Sequence, residues 1–106
     1  MKALTRLEEH ILLSVFHLKE NAYLITVRDF IKENTGKELS IGTIYVPLER
    51  LRREGYVSTR IAKPAPKVGG RSVKYYRLTE EGLESLESMK KVHDRMWWDF
   101  SESGTK

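Results

Sequence analysis

The sequence predicts a mainly α fold with one β-hairpin, of the α+β class, in which three helices precede the hairpin and a fourth follows it. Three observations predict this order. Apolar residues recur at helical spacing in four segments. Two short runs rich in aromatic and β-branched residues flank a loop that contains prolines and glycines. The length of 106 residues fits one domain with an appended helix, and the absence of cysteine excludes a disulfide framework and a zinc site of the cysteine type.

The first two helices are predicted from their capping residues. Thr5 begins the first helix, because Glu8 three positions later completes a capping-box signature. Thr26 is predicted to cap the second helix, with Asp29 at its third position, and Gly36 is predicted to end it. Their predicted buried residues are Leu4, Leu7, Ile11, Val15 and Leu18 in the first helix, and Val27, Phe30 and Ile31 in the second.

The third helix is predicted to begin after Ser40 and to end at Gly55. Pro47 lies inside it, where proline removes a backbone donor and crowds the carbonyl of Thr43, which favours a kink. Strands are predicted over residues 56–61 and 73–78, joined by the loop of residues 62–72. Ile41, Ile44, Leu48 and Leu51 are predicted to line one face of the third helix.

The fourth helix is predicted to begin after Thr79, with two acidic residues at its positive N-terminal end, and to continue to about Ser101. Gly82 in its first turn is a mild cost to helix formation. Helix, helix, helix, hairpin, helix is the order of a winged helix-turn-helix with an added C-terminal helix. We therefore predict two parts: a winged helix-turn-helix domain over residues 1–78, of a kind expected to bind DNA, and a helix and tail over residues 79–106, expected to serve dimerisation.

The charge is unevenly distributed along the chain. Residues 56–78 contain six basic residues and no acidic residue, whereas residues 79–106 contain seven acidic residues against four basic ones. One strongly basic segment is the pattern expected where a single element contacts a polyanion. Double-stranded DNA is therefore the predicted partner. The six basic residues are Arg60, Lys63, Lys67, Arg71, Lys74 and Arg77.

Several short motifs carry a family resemblance. The segment SIGTIY at residues 40–45, followed by Leu48, Arg50, Leu51 and the segment GYV at residues 55–57, resembles the recognition-helix motif of PadR regulators. The segments GGR at residues 69–71 and KYYRLTEEG at residues 74–82 resemble that family's wing strand and the start of its last helix. The resemblance covers about residues 4–86, most of the chain. Pro47 departs from it, because family members typically place proline directly after the tyrosine.

The resemblance implies a bacterial transcriptional regulator that represses a nearby promoter as a homodimer. It also implies a small aromatic compound as an effector, since some members release DNA on binding one. The short C-terminal region resembles the compact members that end in one dimerisation helix. Recognition helices of a two-fold dimer enter successive major grooves, so the predicted operator is an inverted repeat.

The third helix is predicted to contact DNA through its outward face. Gly42 and Thr43 are short enough for close approach to a groove, and Thr43 can bond a base edge or a phosphate. Val46 suits a thymine methyl group, and the arginines suit phosphates or guanine. The alternative is a solvated helix with a buried tyrosine. The predicted contact residues are Ser40, Gly42, Thr43, Tyr45, Val46, Arg50 and Arg53, and Glu49 is also predicted to face outward.

The hairpin supplies the second predicted contact. Lys67, Arg71 and Lys74 lie at or beside its glycine-containing tip. The alternative is an ordinary solvated loop, but solvated surfaces mix both signs of charge. Tyr76 is predicted to lie in the core, and Tyr75 to be partly exposed.

The fourth helix carries a broad apolar stripe that one small domain cannot easily cover. The prediction is pairing with the equivalent helix and the first helix of a second copy. The alternatives are packing on the chain's own domain, or a ligand slot between two copies. Trp98 sits off the centre of the stripe, whose predicted dimer residues are Leu83, Leu86, Met89, His93, Met96, Trp97 and Phe100, with Val92 beside them.

Other function classes have little support. His10, His17 and His93 are separated and lack carboxylates at metal-ligand spacing, so no metal or other cofactor is expected. No glycine-rich phosphate loop follows a strand, and an enzyme is not expected. No apolar run reaches membrane-spanning length, and we expect a cytoplasmic protein. The main alternative is a winged-helix module that binds protein and not DNA; a small-molecule sensor and an RNA-binding enzyme subunit are further alternatives.

Overall fold

The structure is a computed structural model that describes residues 3–63 and 72–101. The predicted fold class is confirmed, because four helices and one antiparallel hairpin follow one another in the expected order. The tip of the hairpin, with Lys67 and Arg71, lies outside the described residues. The elements are α1 (Arg6–Leu18), a 3-10 turn (Lys19–Asn21), α2 (Leu24–Thr35), α3 (Ile41–Arg53), β1 (Val57–Ala62), β2 (Val73–Leu78) and α4 (Glu80–Met96).

Three of the predicted helix caps are confirmed. The Thr5 hydroxyl accepts a hydrogen bond from the Glu8 amide at 3.1 Å, and the Glu8 carboxylate accepts one from the Thr5 amide at 2.8 Å. Ser40 caps α3 by accepting from the amide of residue 43, and Thr79 caps α4 by accepting from the Gly82 amide. Each hydroxyl satisfies an amide that has no partner inside its helix.

The start of α2 differs from the prediction. The helix begins at Leu24, and Thr26 stands at its third position, where its hydroxyl accepts from the Tyr23 amide at 2.9 Å. Thr26 therefore performs the reverse half of a capping box and is not the cap itself. A β-bridge to Tyr75 holds Tyr23 in extended backbone just before the helix. At the other end, Gly36 caps α2 at a φ of 79°, as predicted.

Helix α4 ends earlier than predicted. Its last residue is Met96 and not Ser101. Asp99 has a φ of 63°, a left-handed conformation that helical residues do not adopt, so the chain turns away from the helix axis. The Phe100 amide then bonds the Trp97 carbonyl at 3.0 Å and closes a turn.

The core forms around α1, which contacts α2, α3, α4 and β2. The Tyr76 amide donates to the Ala22 carbonyl at 2.8 Å and ties the hairpin to the 3-10 turn. Tyr76 is buried, as predicted, whereas Phe30 is only half-buried and stacks on His17. The buried apolar residues are Ile11, Leu12, Val15, Ala22, Val27, Ile31, Ile44, Leu48, Leu51, Val57, Tyr76 and Leu86.

Gly82 lies where the start of α4 packs on the backbone that follows α3. A Cβ atom at this position would stand 2.2 Å from the Tyr56 carbonyl oxygen. That oxygen also accepts a hydrogen bond from the Thr79 amide at 3.1 Å. Glycine is therefore required here by close backbone approach, which outweighs its cost to helix formation.

Candidate nucleic-acid interface

The outward ridge of α3 consists of Gly42, Val46 and Arg53, spaced at i, i+4 and i+11. All three are exposed, and Arg53 makes no ion pair with any described residue. Thr43 is also exposed, and its hydroxyl lies 2.8 Å from that of Ser40. Gly42 and Thr43 are the short residues that close approach to a groove requires. Helix α3 continues through Pro47, whose ring is buried.

The structure corrects the predicted orientation of Arg50. Its guanidinium turns to α1, where Nη2 donates to Glu8 Oε2 at 2.7 Å and Nε donates to the same oxygen at 3.2 Å. The Glu8 side chain is 1% exposed and that of Arg50 is 34% exposed. A buried carboxylate is stable only with a hydrogen-bonded cation beside it. Arg50 therefore turns toward Glu8 and does not extend fully into solvent.

Glu49 is also buried, although it was predicted to face outward. Its carboxylate accepts from the Tyr76 hydroxyl at 2.5 Å, from Arg52 Nε at 2.9 Å and from Lys74 Nζ at 3.1 Å. These bonds connect α3 to strand β2, because Glu49 and Arg52 belong to the helix and the other two residues to the strand. We call these four residues the Glu49 cluster.

The Glu49 cluster has a defined charge. Burial by itself raises the pKa of a carboxyl group, but the bonds from Tyr76, Arg52 and Lys74 outweigh it and lower the pKa of Glu49 to about 2. Burial, followed by the hydrogen bond to Glu49, raises the pKa of the Tyr76 hydroxyl above its ordinary value. The tyrosine therefore stays a neutral donor while Glu49 is charged, and two cations against one carboxylate leave the cluster with a net charge of +1.

Tyr45 lies beside this cluster and is 43% exposed, so the alternative of a buried tyrosine is wrong. Lys74 Nζ stands 5.9 Å from the centroid of its ring. The spacing of Tyr45, Glu49 and Arg52 at i, i+4 and i+7 places them on one flank of α3, facing the hairpin. Arg52 is not among the predicted contact residues, although this spacing was the signal that would have indicated it.

In the folded structure, basic residues of the hairpin have acidic partners that come from other parts of the chain. Arg60 of β1 and Arg77 of β2 both bond the carboxylate of Glu20, in the 3-10 turn, at 3.2 and 3.3 Å. The Arg60 guanidinium also lies 4.6 Å from the centroid of the Tyr75 ring, which is half-buried, as predicted. The acidic partners missing from residues 56–78 thus come from the segment before α2 and from α3.

The apolar stripe of α4 divides into two parts. Leu86 is buried and Met89 is half-buried, and both pack on the core of the same chain. Leu83 is 39% exposed, and the residues that follow Met89 are more exposed. The exposed members of the stripe are Val92, His93, Met96, Trp97 and Phe100, with Trp98 beside them.

The exposed rings form a row at the end of α4. His93 stacks on Trp97 with centroids 5.6 Å apart, and Trp97 meets Phe100 edge-on at 4.9 Å. A groove of about 520 Å³ lies between α1 and α4, with Leu13, Phe16 and Leu83 among its lining residues. The chain therefore presents both an apolar projection and an apolar recess on one side.

Most of the chain matches one known protein family. Residues 11–88 match the model of the "Transcriptional regulator PadR-like family". The chain belongs to the PadR-like family. Membership supports a DNA-binding regulator as the function of this PadR-like chain, and the matched residues include all of α2, α3 and the hairpin.

Solved structures of PadR-like proteins have the same fold. A PadR-like transcriptional regulator from Bacillus cereus is 27% identical, with 85% of this chain and 82% of that chain covered and a TM-score of 0.73. A PadR family transcription regulator from Clostridium difficile is 26% identical over 87% of this chain and 90% of that chain, with a TM-score of 0.71. RosR of H. salinarum is 20% identical, with 95% of this chain and 84% of that chain covered and a TM-score of 0.73. This similarity shows the fold alone. A search of curated proteins gives no match.

The described helices of this PadR-like chain include none that is long and apolar enough to cross a membrane.

Proposed function

We propose that this chain is a sequence-specific DNA-binding transcriptional repressor that acts as a homodimer on an inverted-repeat operator. The observation that carries the proposal is the uncovered ridge of α3, formed by Gly42, Val46 and Arg53, in a chain of the PadR-like family. Residues 1–78 form the DNA-binding domain in this proposal. Ser40 and Thr43 lie at the helix end that enters the major groove, where short polar side chains reach base edges or phosphates.

The hairpin is proposed to contact the sugar-phosphate backbone of the DNA next to α3. Lys74 lies next to α3, and Lys67 and Arg71, which are outside the described residues, precede it in the sequence. Lysine and arginine contacts to phosphates provide affinity without sequence preference. Arg50 keeps a place in the interface only through the part of its guanidinium that Glu8 does not cover.

Residues 79–106 are proposed to form the dimer contact. The exposed rings of Trp97 and Phe100 would occupy the partner's groove between α1 and α4, and a two-fold axis makes that exchange reciprocal. The same apolar region is the proposed binding place of a small aromatic effector that releases DNA. Leu83, His93 and Met96 lie in the same contact, whereas Leu86 and Met89 support it from the core side.

The decisive experiment maps the sites that the protein protects on the genomic DNA of its source organism. Protection of a few inverted repeats, with half-sites one helical turn apart, is the expected result. Uniform weak protection, or none, would contradict a sequence-specific regulator. A protein partner bound by wild type in the absence of DNA binding would favour the interaction-module alternative instead.

A further inference from the structure

Arg52 of α3 and Lys74 of β2 meet on the flank of α3 that faces the hairpin. Both donate hydrogen bonds to one carboxylate there. Arg52 Nε and Lys74 Nζ occupy the two oxygens of Glu49, at 2.9 and 3.1 Å. Their side chains are 40% and 37% exposed, whereas that of Glu49 is 11% exposed. The carboxylate therefore lies beneath the two cations and holds them at the surface.

Both cations keep donors that no described residue uses. A lysine ammonium has three N–H groups and Lys74 gives one to Glu49, while Arg52 gives its Nε and keeps the terminal N–H groups of the guanidinium. The exposed ring of Tyr45 stands beside Lys74 and adds a hydroxyl. With a net charge of +1, this place attracts an anion.

We propose that Arg52, Lys74 and Tyr45 form a binding site for one backbone phosphate of double-stranded DNA, with Glu49 as the residue that positions the two cations. The proposal rests on the proposed function, because it assumes that the ridge of α3 faces a DNA groove. A phosphate accepts several hydrogen bonds at once, and a guanidinium presents paired donors that match it.

The position of the site on α3 favours the backbone over a base. Gly42, Val46 and Arg53 form the ridge that would enter the groove, and Tyr45 and Arg52 lie on the flank next to it. A helix in the major groove has a sugar-phosphate strand along each flank. The flank that also meets β2 would therefore meet the strand that the hairpin contacts.

The test measures binding to a random-sequence duplex of about 30 base pairs, or three helical turns, between about 50 and 200 mM salt. Arg52→Ala is expected to reduce the slope of log affinity against log salt by about one unit for each bound protomer, which corresponds to the loss of one phosphate contact per protomer. Arg52→Lys is expected to keep the slope. Tyr45→Phe is expected to weaken binding by about five-fold, the size of one hydrogen bond, without changing the slope.

Arg6→Ala is the matched control. Arg6 forms an ion pair with Glu9 three positions away on α1, as Arg52 does with Glu49 on α3. The Arg6→Ala substitution therefore removes the same charge from a helical ion pair at a different place. Its salt slope is expected to equal that of wild type. Arg52→Gln, which can still donate to Glu49, replaces Arg52→Ala if the alanine variant does not fold.

The outcomes separate the two proposals. A wild-type protein that does not bind the duplex at any salt overturns the proposed function. Salt-dependent wild-type binding with equal slopes for the Arg52 and Arg6 alanine variants overturns the phosphate site alone. Tighter binding to single-stranded RNA of equal length, lost in Arg52→Ala, overturns the assignment to double-stranded DNA.

Discussion

Arg50 of α3 donates two hydrogen bonds, at 2.7 and 3.2 Å, to a single carboxylate oxygen of Glu8 in α1. The other oxygen of Glu8 closes the capping box with the Thr5 amide. The first turn of α1 and the middle of α3 are thus joined through one buried side chain. On a different flank, Glu49 joins α3 to β2, so polar contacts connect the helix to two other elements.

Arg50→Ala is expected to lower the free energy of unfolding by about 1–3 kcal/mol, measured by urea denaturation. Removing the cation leaves the Glu8 carboxylate, which is 1% exposed, without one of its charged partners. This loss is smaller than that for a fully buried pair, because the Arg50 side chain is 34% exposed and solvent screens the interaction. Arg53→Ala is the control and is expected to change stability by less than about 0.5 kcal/mol. Equal stabilities of the two variants would show that the Glu8 contact does not hold α3.

Glu49 should make stability depend on pH in the acidic range. Its pKa is lowered from 4.5 to about 2 in the folded protein, so the stabilisation is complete above pH 4.5 and is lost as pH falls toward 2. The upper limit of this contribution is about 3 kcal/mol, since one pKa unit corresponds to about 1.4 kcal/mol. The stability difference between wild type and Glu49→Gln should therefore narrow when urea denaturation is repeated from neutral pH to about pH 3. A constant difference would contradict the charged state assigned to Glu49.

Thr43 is expected to act on specificity. Thr43→Ala should reduce the ratio of operator affinity to random-duplex affinity by about five-fold or more, because a lost base contact costs about 1–3 kcal/mol. Arg53→Ala should weaken both affinities in similar proportion if its contact is to phosphate. Gel-shift titrations on both duplexes measure the two ratios. An unchanged ratio for Thr43→Ala would remove this residue from base recognition.

Trp97→Glu is expected to yield a monomer at micromolar concentration, with the helical content retained. Burying a large aromatic side chain stabilises by roughly 1.5–3 kcal/mol, and a two-fold interface counts each change twice. Operator binding should fall toward the random-duplex level, because the advantage of two linked sites is lost. Trp98→Glu is the control, off the centre of the stripe, and should stay dimeric. Sedimentation equilibrium decides, and a monomeric wild type would end the dimer proposal.

Gly82→Ala should destabilise the fold although alanine ordinarily favours a helix over glycine by about 1 kcal/mol. The added Cβ would stand 2.2 Å from the Tyr56 carbonyl oxygen, so backbone must move, and we expect a loss of about 1–3 kcal/mol. Gly42→Ala is the matched control, because nothing lies within 4 Å of a Cβ there and both glycines occupy the first turn of a helix. Thermal unfolding of both variants tests the sign, and a stabilised Gly82→Ala would contradict the close packing.

The caps and the core could be predicted from the sequence because they depend on local chemistry. Thr5, Ser40 and Thr79 cap through hydroxyls that reach an amide three residues away, and periodicity alone places Ile44, Leu48 and Leu51 inside. The error at Thr26 has a local cause too, since the same hydroxyl serves either half of a capping box. The β-bridge between Tyr23 and Tyr75 decides which half Thr26 serves, and that long-range contact cannot be inferred from the local sequence.

The polar side chains of the candidate site could not be placed in the same way. Glu8 and Arg50 are 42 positions apart, and Glu49 and Tyr76 are 27 apart, so their contacts depend on how the elements pack. A charged residue on a helix is exposed in most proteins, which made Glu49 and Arg50 look like surface residues. The exposed rings after Met89 were predictable, because their apolar area exceeds what one small domain covers.

Glu20 bears on how long a regulator of this shape would remain at the wrong place on a chromosome. It sets one carboxylate against the guanidiniums of Arg60 and Arg77, which otherwise would add two free cations to the hairpin strands. Residence on random sequence lengthens with each phosphate that a protein neutralises. By reducing that attraction while leaving the α3 ridge open, Glu20 would shorten each unproductive stop and speed the search for the operator.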